Sequence, residues 1–374
     1  MIKKSQKTVI VSSNYAWTIF NFRMPLIRRL KSDGYKVVVL TQFDGYESYI
    51  AAEVNQIRKL FISRKSANPL LDFLTILDFV KSIIIVRPDM LLLFTIKPVI
   101  YGSIAAKLTN IKVMVMITGL GTAFISGSWI KKVVKILFRF ALSSVSVVFF
   151  QNNDDKNLFL GEGFVNKKAC RMVPGSGVDL ERFKFTNLPK SKKVVFLFLG
   201  RMLWDKGIGE FVDAARRLKS RYPNVRFQLL GPLGVENRTS IPNLKMNEWQ
   251  KEGLIEYLGE TDNVSSYIER ATCIVLPSYR EGMSRALLES AAMGRPLIAT
   301  NVPGCREIID DRITGFLCKP RDSIDLSEKI EQMIKLPHEV RSLMGTKGRE
   351  KVENGFGQDI VSNLYAEAIR NCKI

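Results

Sequence analysis

Short apolar runs rich in β-branched residues recur along this chain, separated by amphipathic stretches of helical length. In the first half they fall at Thr8–Ser12, Lys36–Thr41, Met90–Thr95, Lys112–Thr118 and Val145–Gln151. In the second half they fall at Lys193–Leu199, Val225–Leu230, Cys273–Leu276 and Pro296–Thr300. Continuous apolar strands alternating with amphipathic helices predict parallel sheets covered on both faces. Two such series imply two Rossmann-like, doubly wound α/β domains. The polar stretch Phe185–Lys193 reads as the linker between them, and the pattern turns helical after about residue 323. The expected division is 1–185, 186–355, and a terminal helix at 356–374 returning to the N-terminal domain.

Composition adds one unusual feature. Across 374 residues the apolar and charged fractions, 46% and 25%, are those of a globular protein. The net charge is +20, and it is uneven. The first 189 residues carry 27 basic and 12 acidic side chains, the remainder 29 and 24. The first half should therefore meet an anionic partner. Five irregularly spaced cysteines argue against a disulfide framework or a zinc site. The N-terminal apolar run is too short for a signal-peptide core. The uncharged stretch Val113–Ile130 contains three glycines and fits a buried strand and loop better than a membrane span. These features place the protein in the cytoplasm.

Ligands of open α/β sheets bind beyond the carboxyl ends of the strands, so the residues following each strand carry the chemistry. After the run VVFLFL come Gly200, Arg201, Lys206 and Gly207, with a helix from about Ile208. Two cations between glycines at a helix N-terminus can grip a diphosphate. Each such pair contributes ~4 kcal/mol at 4 Å and an effective dielectric near 20, before desolvation. After CIVLP come Glu281, Gly282, Met283 and Ser284, and a helix over Arg285–Met293 that contains Glu289. Ser284 is a good N-cap, and the free N–H groups beside it can hold an anion. Carboxylates at 281 and 289 suit sugar hydroxyls.

These motifs, Gly-Arg-x5-Lys-Gly and Glu-x7-Glu, with Pro303-Gly304, Thr314-Gly-Phe316 and Gly177-Val-Asp179, resemble those of family 4 glycosyltransferases. The resemblance spans most of the chain and implies a GT-B fold, two Rossmann-like domains facing across a cleft. It implies a retaining transferase that uses a nucleotide sugar and requires no other cofactor. By position, it implies that Arg201 and Lys206 hold the donor diphosphate and that Glu281 binds the transferred sugar. Gly200 lines that site, Gly282, Met283 and Ser284 donate backbone N–H groups, Glu289 holds the ribose, and Tyr257 lies in the base-recognising segment.

The first half departs from the glycine-rich first loop of many members. Asn14, Trp17, Asn21 and Arg23 follow the first strand, and Gly119-Leu-Gly121-x-x-Phe124 comes later. This half is similar to that of a bacterial subset that extends sugars on undecaprenyl diphosphate, especially the N-acetylgalactosaminyltransferases. That likeness implies a lipid-linked saccharide acceptor, met by Asn14, Trp17, Asn21, Arg23, Lys97, Gly119 and Gly121. The segment Trp129–Leu142 puts Lys131, Lys132, Lys135 and Arg139 on one arc, the pattern of a helix lying on an anionic membrane. Peripheral attachment to the inner face of the cytoplasmic membrane is the expectation. The one histidine, His338, reads as a surface residue, and no D-x-D motif occurs, so no metal site is expected. Two rival readings are a nucleotide-sugar epimerase on the same fold and a basic nucleic-acid-binding protein. No nucleic-acid motif supports the latter, so no nucleic-acid partner is expected.

Overall fold

Seven strands build the first sheet: β1 (Thr8–Tyr15), β2 (Lys36–Gln42), β3 (Gln56–Lys59), β4 (Met90–Phe94), β5 (Lys112–Ile117), β6 (Val147–Phe150) and β7 (Cys170–Met172). Six build the second: β8 (Val194–Leu199), β9 (Val225–Leu230), β10 (Glu256–Tyr257), β11 (Cys273–Leu276), β12 (Leu297–Thr300) and β13 (Gly315–Cys318). The computed structural model describes residues 6–63, 68–119, 129–191 and 193–372. The strand orders are β3-β2-β1-β4-β5-β6-β7 and β10-β9-β8-β11-β12-β13, with every pairing parallel. Each order reverses once, between β1 and β4 and between β8 and β11.

The two-residue period of the strands sorts their side chains into separate cores. Ile10, Val38, Leu91 and Val113 join one cluster with helix Pro69–Val86 and helix Trp129–Leu142. Their neighbours Val9, Val37, Met90 and Met114 point the other way, toward helix Ala16–Ser32 and helix Gln358–Asn371. The second sheet shares one large core that includes Phe196, Phe198, Phe211 and Phe227.

The chain divides into residues 1–176 with 359–374, and residues 177–358. The first boundary lies before the polar stretch expected to link the domains, because that stretch is bound into the second unit. Phe183 is buried in its core. The fully buried Arg295 donates to the carbonyl oxygens of Thr186 and Asn187. Burial pulls the Arg295 guanidinium down to about 10. Gly294, at φ 77°, packs so tightly that a Cβ would lie 2.5 Å from the Phe185 ring. At the other end, Val361, Tyr365 and Ile369 of helix Gln358–Asn371 are buried in the first unit. The Tyr365 ring lies 4.3 Å from that of Phe149.

Candidate functional site

In the second unit the loops after β8 and β11 flank the reversal of strand order, where doubly wound sheets place their ligands. The backbone there is built on close approaches that only glycine permits. Gly207 has φ 74°, and a Cβ on it would lie 2.0 Å from the Pro277 carbonyl oxygen. Gly304 has φ 81°, and its Cβ would lie 2.6 Å from the Glu281 Cβ. The loop at 303–304 is thereby pressed onto the loop at 281–284. Glu281 N–H donates to Pro303 O at 3.1 Å, and Ser284 N–H to Gly304 O at 2.9 Å.

This packing brings Lys206 and Glu281 together across 75 residues of sequence. Lys206 Nζ is 2.5 Å from Glu281 Oε1, and the two side chains are 20% and 13% exposed. Helix Ile208–Lys219 begins beside the lysine, and Arg201 is exposed at the start of the same loop. Ser284 caps helix Arg285–Ala292 through Leu287 N–H. Gly282 and Met283 are half-buried immediately before it. Four of the residues expected at the donor-sugar site, Gly200, Arg201 and Lys206 for the diphosphate and Glu281 for the sugar, thus stand in the loops after β8 and β11.

Glu289 lies deeper. It is paired with Arg285 at 2.6 Å, and burial lifts its carboxyl above the ordinary range against the pull of Arg285 and Arg182. The Tyr257 hydroxyl donates to Gly231 O at 3.0 Å, so it braces the end of β9. Sequence reasoning missed the supporting groups. Asp205 accepts from Thr239 Oγ1 at 3.1 Å, and its carbonyl accepts from Tyr279 N–H. The Tyr279 hydroxyl donates to Glu210 at 2.7 Å. Glu307 accepts from Gly304 N–H at 2.7 Å and steadies the tight loop. Position after a strand was the only available signal for Asp205 and Tyr279. His338 is half-buried, with Nε2 3.3 Å from Leu188 O, which ties it to the 177–193 segment.

The first unit has its own ion pair at the corresponding reversal. Lys97, just after β4, lies 2.8 Å from Asp72, which stands in the first turn of helix Pro69–Val86. Tyr101 bonds the same carboxylate and is raised strongly, first by burial and then by Asp72. Tyr101 belongs to the π-helical turn Pro98–Gly102, an irregularity common at functional sites. Thr95 holds φ 67°, a genuine outlier for a β-branched residue, and accepts Asn14 N–H at 3.1 Å. Asn14 Oδ1 is buried without a hydrogen-bond partner.

The other residues expected near an acceptor are spread more widely. Trp17 is exposed, and Asn21 donates to its carbonyl at 3.0 Å. Arg23 is buried, its guanidinium 4.0 Å over the Phe94 ring, so it belongs to the packing beneath the site. Gly119 sits at φ 122° with open space where a Cβ would be. Gly121 lies outside the described residues, as do the side chains of Trp129, Ile130 and Lys131.

Helix Trp129–Leu142 keeps part of its basic arc engaged within the fold. Lys135 pairs with Glu162 at 2.6 Å, and Arg139 donates to Glu162 O at 2.9 Å. Phe138, Ala141 and Leu142 are buried, whereas Val133, Ile136 and Phe140 are exposed. Helix Pro69–Val86, which joins the same core cluster, exposes Leu70, Phe73, Leu77 and Ile84 along one stripe. No described helix is long and apolar enough to cross a membrane.

Comparison with known proteins agrees with this geometry. Residues 9–152 match the model for glycosyl transferase 4-like domains, and residues 179–351 match that for glycosyl transferases group 1. A Campylobacter jejuni N,N'-diacetylbacillosaminyl-diphospho-undecaprenol alpha-1,3-N-acetylgalactosaminyltransferase is 26% identical, over 95% of this chain and 97% of that protein. An Escherichia coli UDP-Gal:alpha-D-GlcNAc-diphosphoundecaprenol alpha-1,3-galactosyltransferase is 27% identical over 73% of each. Among solved structures, a glycosyltransferase from Rickettsia africae superposes with a TM-score of 0.79, at 19% identity over 98% of this chain and 99% of its own. Anabaena HepE in complex with UDP and glucose also scores 0.79, at 16% identity over 97% of this chain and 99% of that one. With a 4-like domain on the first sheet and a group 1 domain on the second, the chain belongs to the GT-B glycosyltransferases of family 4.

Proposed function

We propose that this enzyme transfers an N-acetylhexosamine, N-acetylgalactosamine first among the candidates, from its UDP-sugar to an undecaprenyl-diphosphate-linked saccharide, with retention of configuration. The observation that carries this reading is the half-buried Lys206–Glu281 pair in the loops after β8 and β11. A donor diphosphate replaces Glu281 as the partner of Lys206, with Arg201 as second cation. Glu281 is then free to accept hydrogen bonds from hydroxyls of the transferred sugar. As the bond from the anomeric carbon to the diphosphate oxygen breaks, the acceptor hydroxyl oxygen bonds that carbon on the same face. Its proton passes to the departing phosphate. The enzyme contributes positioning and charge stabilisation, one preorganised donor being worth ~3–4 kcal/mol. Glu289 and the segment around Tyr257 serve the nucleoside end. Asn14, Lys97 and Gly119 serve the acceptor.

The choice of acceptor is supported by the activities for which the Campylobacter and Escherichia relatives are named. A lipid-linked acceptor calls for attachment to the cytoplasmic face of a membrane. Support for that comes from the exposed stripe of helix Pro69–Val86 and from Ile136 and Phe140, with Lys132 and Lys107 close by in the fold. Apolar side chains beside cations suit an anionic lipid surface.

The test is a transfer assay with a panel of nucleotide sugars and a synthetic undecaprenyl-diphosphate-linked acceptor, with the anomeric configuration of the product read by NMR. Transfer from a UDP-N-acetylhexosamine with retention supports the reading. An epimerised nucleotide sugar formed without acceptor, or wild-type turnover in both Lys206→Ala and Glu281→Ala, overturns it.

A further inference from the structure

The first unit exposes a second apolar surface with a different character. Trp17 and Phe20 stand in the first turns of helix Ala16–Ser32, Tyr46 lies in the loop after β2, and Tyr49 is on the short helix Glu47–Ala51. Phe20 lies 5.4 Å from both tyrosines, and the tyrosines lie 6.2 Å from each other. Trp17 packs edge-on against Phe22 at 5.4 Å. Trp17, Phe20 and Tyr49 are 45%, 37% and 61% exposed, so ring surface remains available to a ligand.

One carboxylate ties the array together. Helix Ala16–Ser32 has no cap from its own Tyr15 and no acidic residue in its first turn. Asp44, from the β2 loop, takes that place, accepting Trp17 N–H at 3.0 Å and 3.2 Å through its two oxygens. This remote cap satisfies an orphan N–H, complements the helix dipole and fastens the loop carrying Tyr46 to the helix carrying Phe20. The platform stands after the carboxyl ends of β1 and β2, a few residues from Asn14.

We infer that these rings form a binding platform for the pyranose rings of the acceptor saccharide, a site distinct from that of the lipid diphosphate. Sugars present C–H faces to aromatic rings and hydroxyls to polar rims, and this surface offers both, with carboxylates Asp44 and Glu47 beside the phenols. A carboxylate rim opposes an anionic lipid surface, in contrast to Phe140 of helix Trp129–Leu142, which has the Lys107 ammonium 4.3 Å from its ring. Rigid aromatic residues supply contact area at low entropic cost. The inference rests on the transferase reading above and adds to it where the acceptor's sugars lie.

The test compares undecaprenyl-diphosphate-linked N-acetylhexosamine monosaccharide and disaccharide acceptors in the wild-type enzyme and in Tyr49→Ser and Phe20→Ser. Both variants are expected to raise the KM for the disaccharide acceptor about tenfold, with kcat within about twofold and UDP protection against unfolding unchanged. Tyr49→Phe should behave as wild type. Unchanged acceptor KM in both serine variants overturns the platform, as does loss of phosphatidylglycerol-vesicle binding or a change in oligomeric state in its place. A separate measurement needs no turnover: free N,N'-diacetylchitobiose at millimolar concentration should quench tryptophan fluorescence in wild type and not in Trp17→Phe or Tyr49→Ser. No quenching in wild type refutes the platform even if transfer is observed. Quenching without transfer to any lipid-linked acceptor refutes the transferase reading instead.

Discussion

On the proposed function, the two sheets meet the same problem, a ligand at a reversal of strand order, with different materials. Each reversal holds a lysine–carboxylate pair of similar exposure, Lys97–Asp72 in the first unit and Lys206–Glu281 in the second. In the second unit the surroundings are glycines at positive φ and a capped helix N-terminus, which present backbone N–H groups and positive charge. In the first they are a strained threonine, a π-helical turn and exposed aromatic rings. A backbone cradle suits a diphosphate, whose charge and shape are the same in every donor. A surface made of side chains can be reshaped without disturbing the fold, which suits an acceptor that varies between enzymes.

That contrast can be broken most directly at the charges. Lys206→Ala or Glu281→Ala should lower transfer by about 10³-fold, ~4 kcal/mol, while Lys97→Ala should act mainly on the acceptor KM; steady-state kinetics with each substrate varied separates the two. Next comes stability. Tyr365→Ala removes a ring from the core of the first unit and should cost about 3–5 kcal/mol, measured by denaturant unfolding, while UDP binding to the second unit survives. Gly304→Ala should cost about 1–2 kcal/mol and also weaken UDP binding by calorimetry, since its Cβ meets the Glu281 Cβ.

The smallest effect is on pH dependence. Lys335 and Tyr222 hold the Glu331 carboxyl down to about 2. A depressed carboxylate contributes stability that is present above its unfolded pKa and lost as pH falls through the folded one. Thermal stability should therefore decline between about pH 4.5 and 2, with a shallower slope in Glu331→Gln.

Much of this was legible in the residues. Every central strand follows an apolar run, because a strand covered on both faces must be apolar throughout. The four strands without such a signal, β3, β7, β10 and β13, are the four sheet edges. Three of them, Gln56–Lys59, Cys170–Met172 and Glu256–Tyr257, are only two to four residues long and each carries a charged side chain, and a half-covered strand of that kind looks like a loop. The loops proposed to hold the diphosphate were readable because glycine and charge mark them locally. Asp72, Asp44 and Arg295 were not, since each acts on a partner distant in sequence. Arg295 in particular turns a polar stretch that resembles a linker into part of the second unit.

The placement of helix Gln358–Asn371 has a consequence for biogenesis. The first unit needs Tyr365 against Phe149 and Phe94 to close its core, and a surface hydrogen bond from Lys112 to the Cys372 carbonyl fastens the end of the helix. On the ribosome, residues 177–358 can therefore finish folding before the unit that was translated first. Until helix Gln358–Asn371 has been synthesised, the nascent chain leaves the part of the first sheet around Phe94 and Phe149 uncovered.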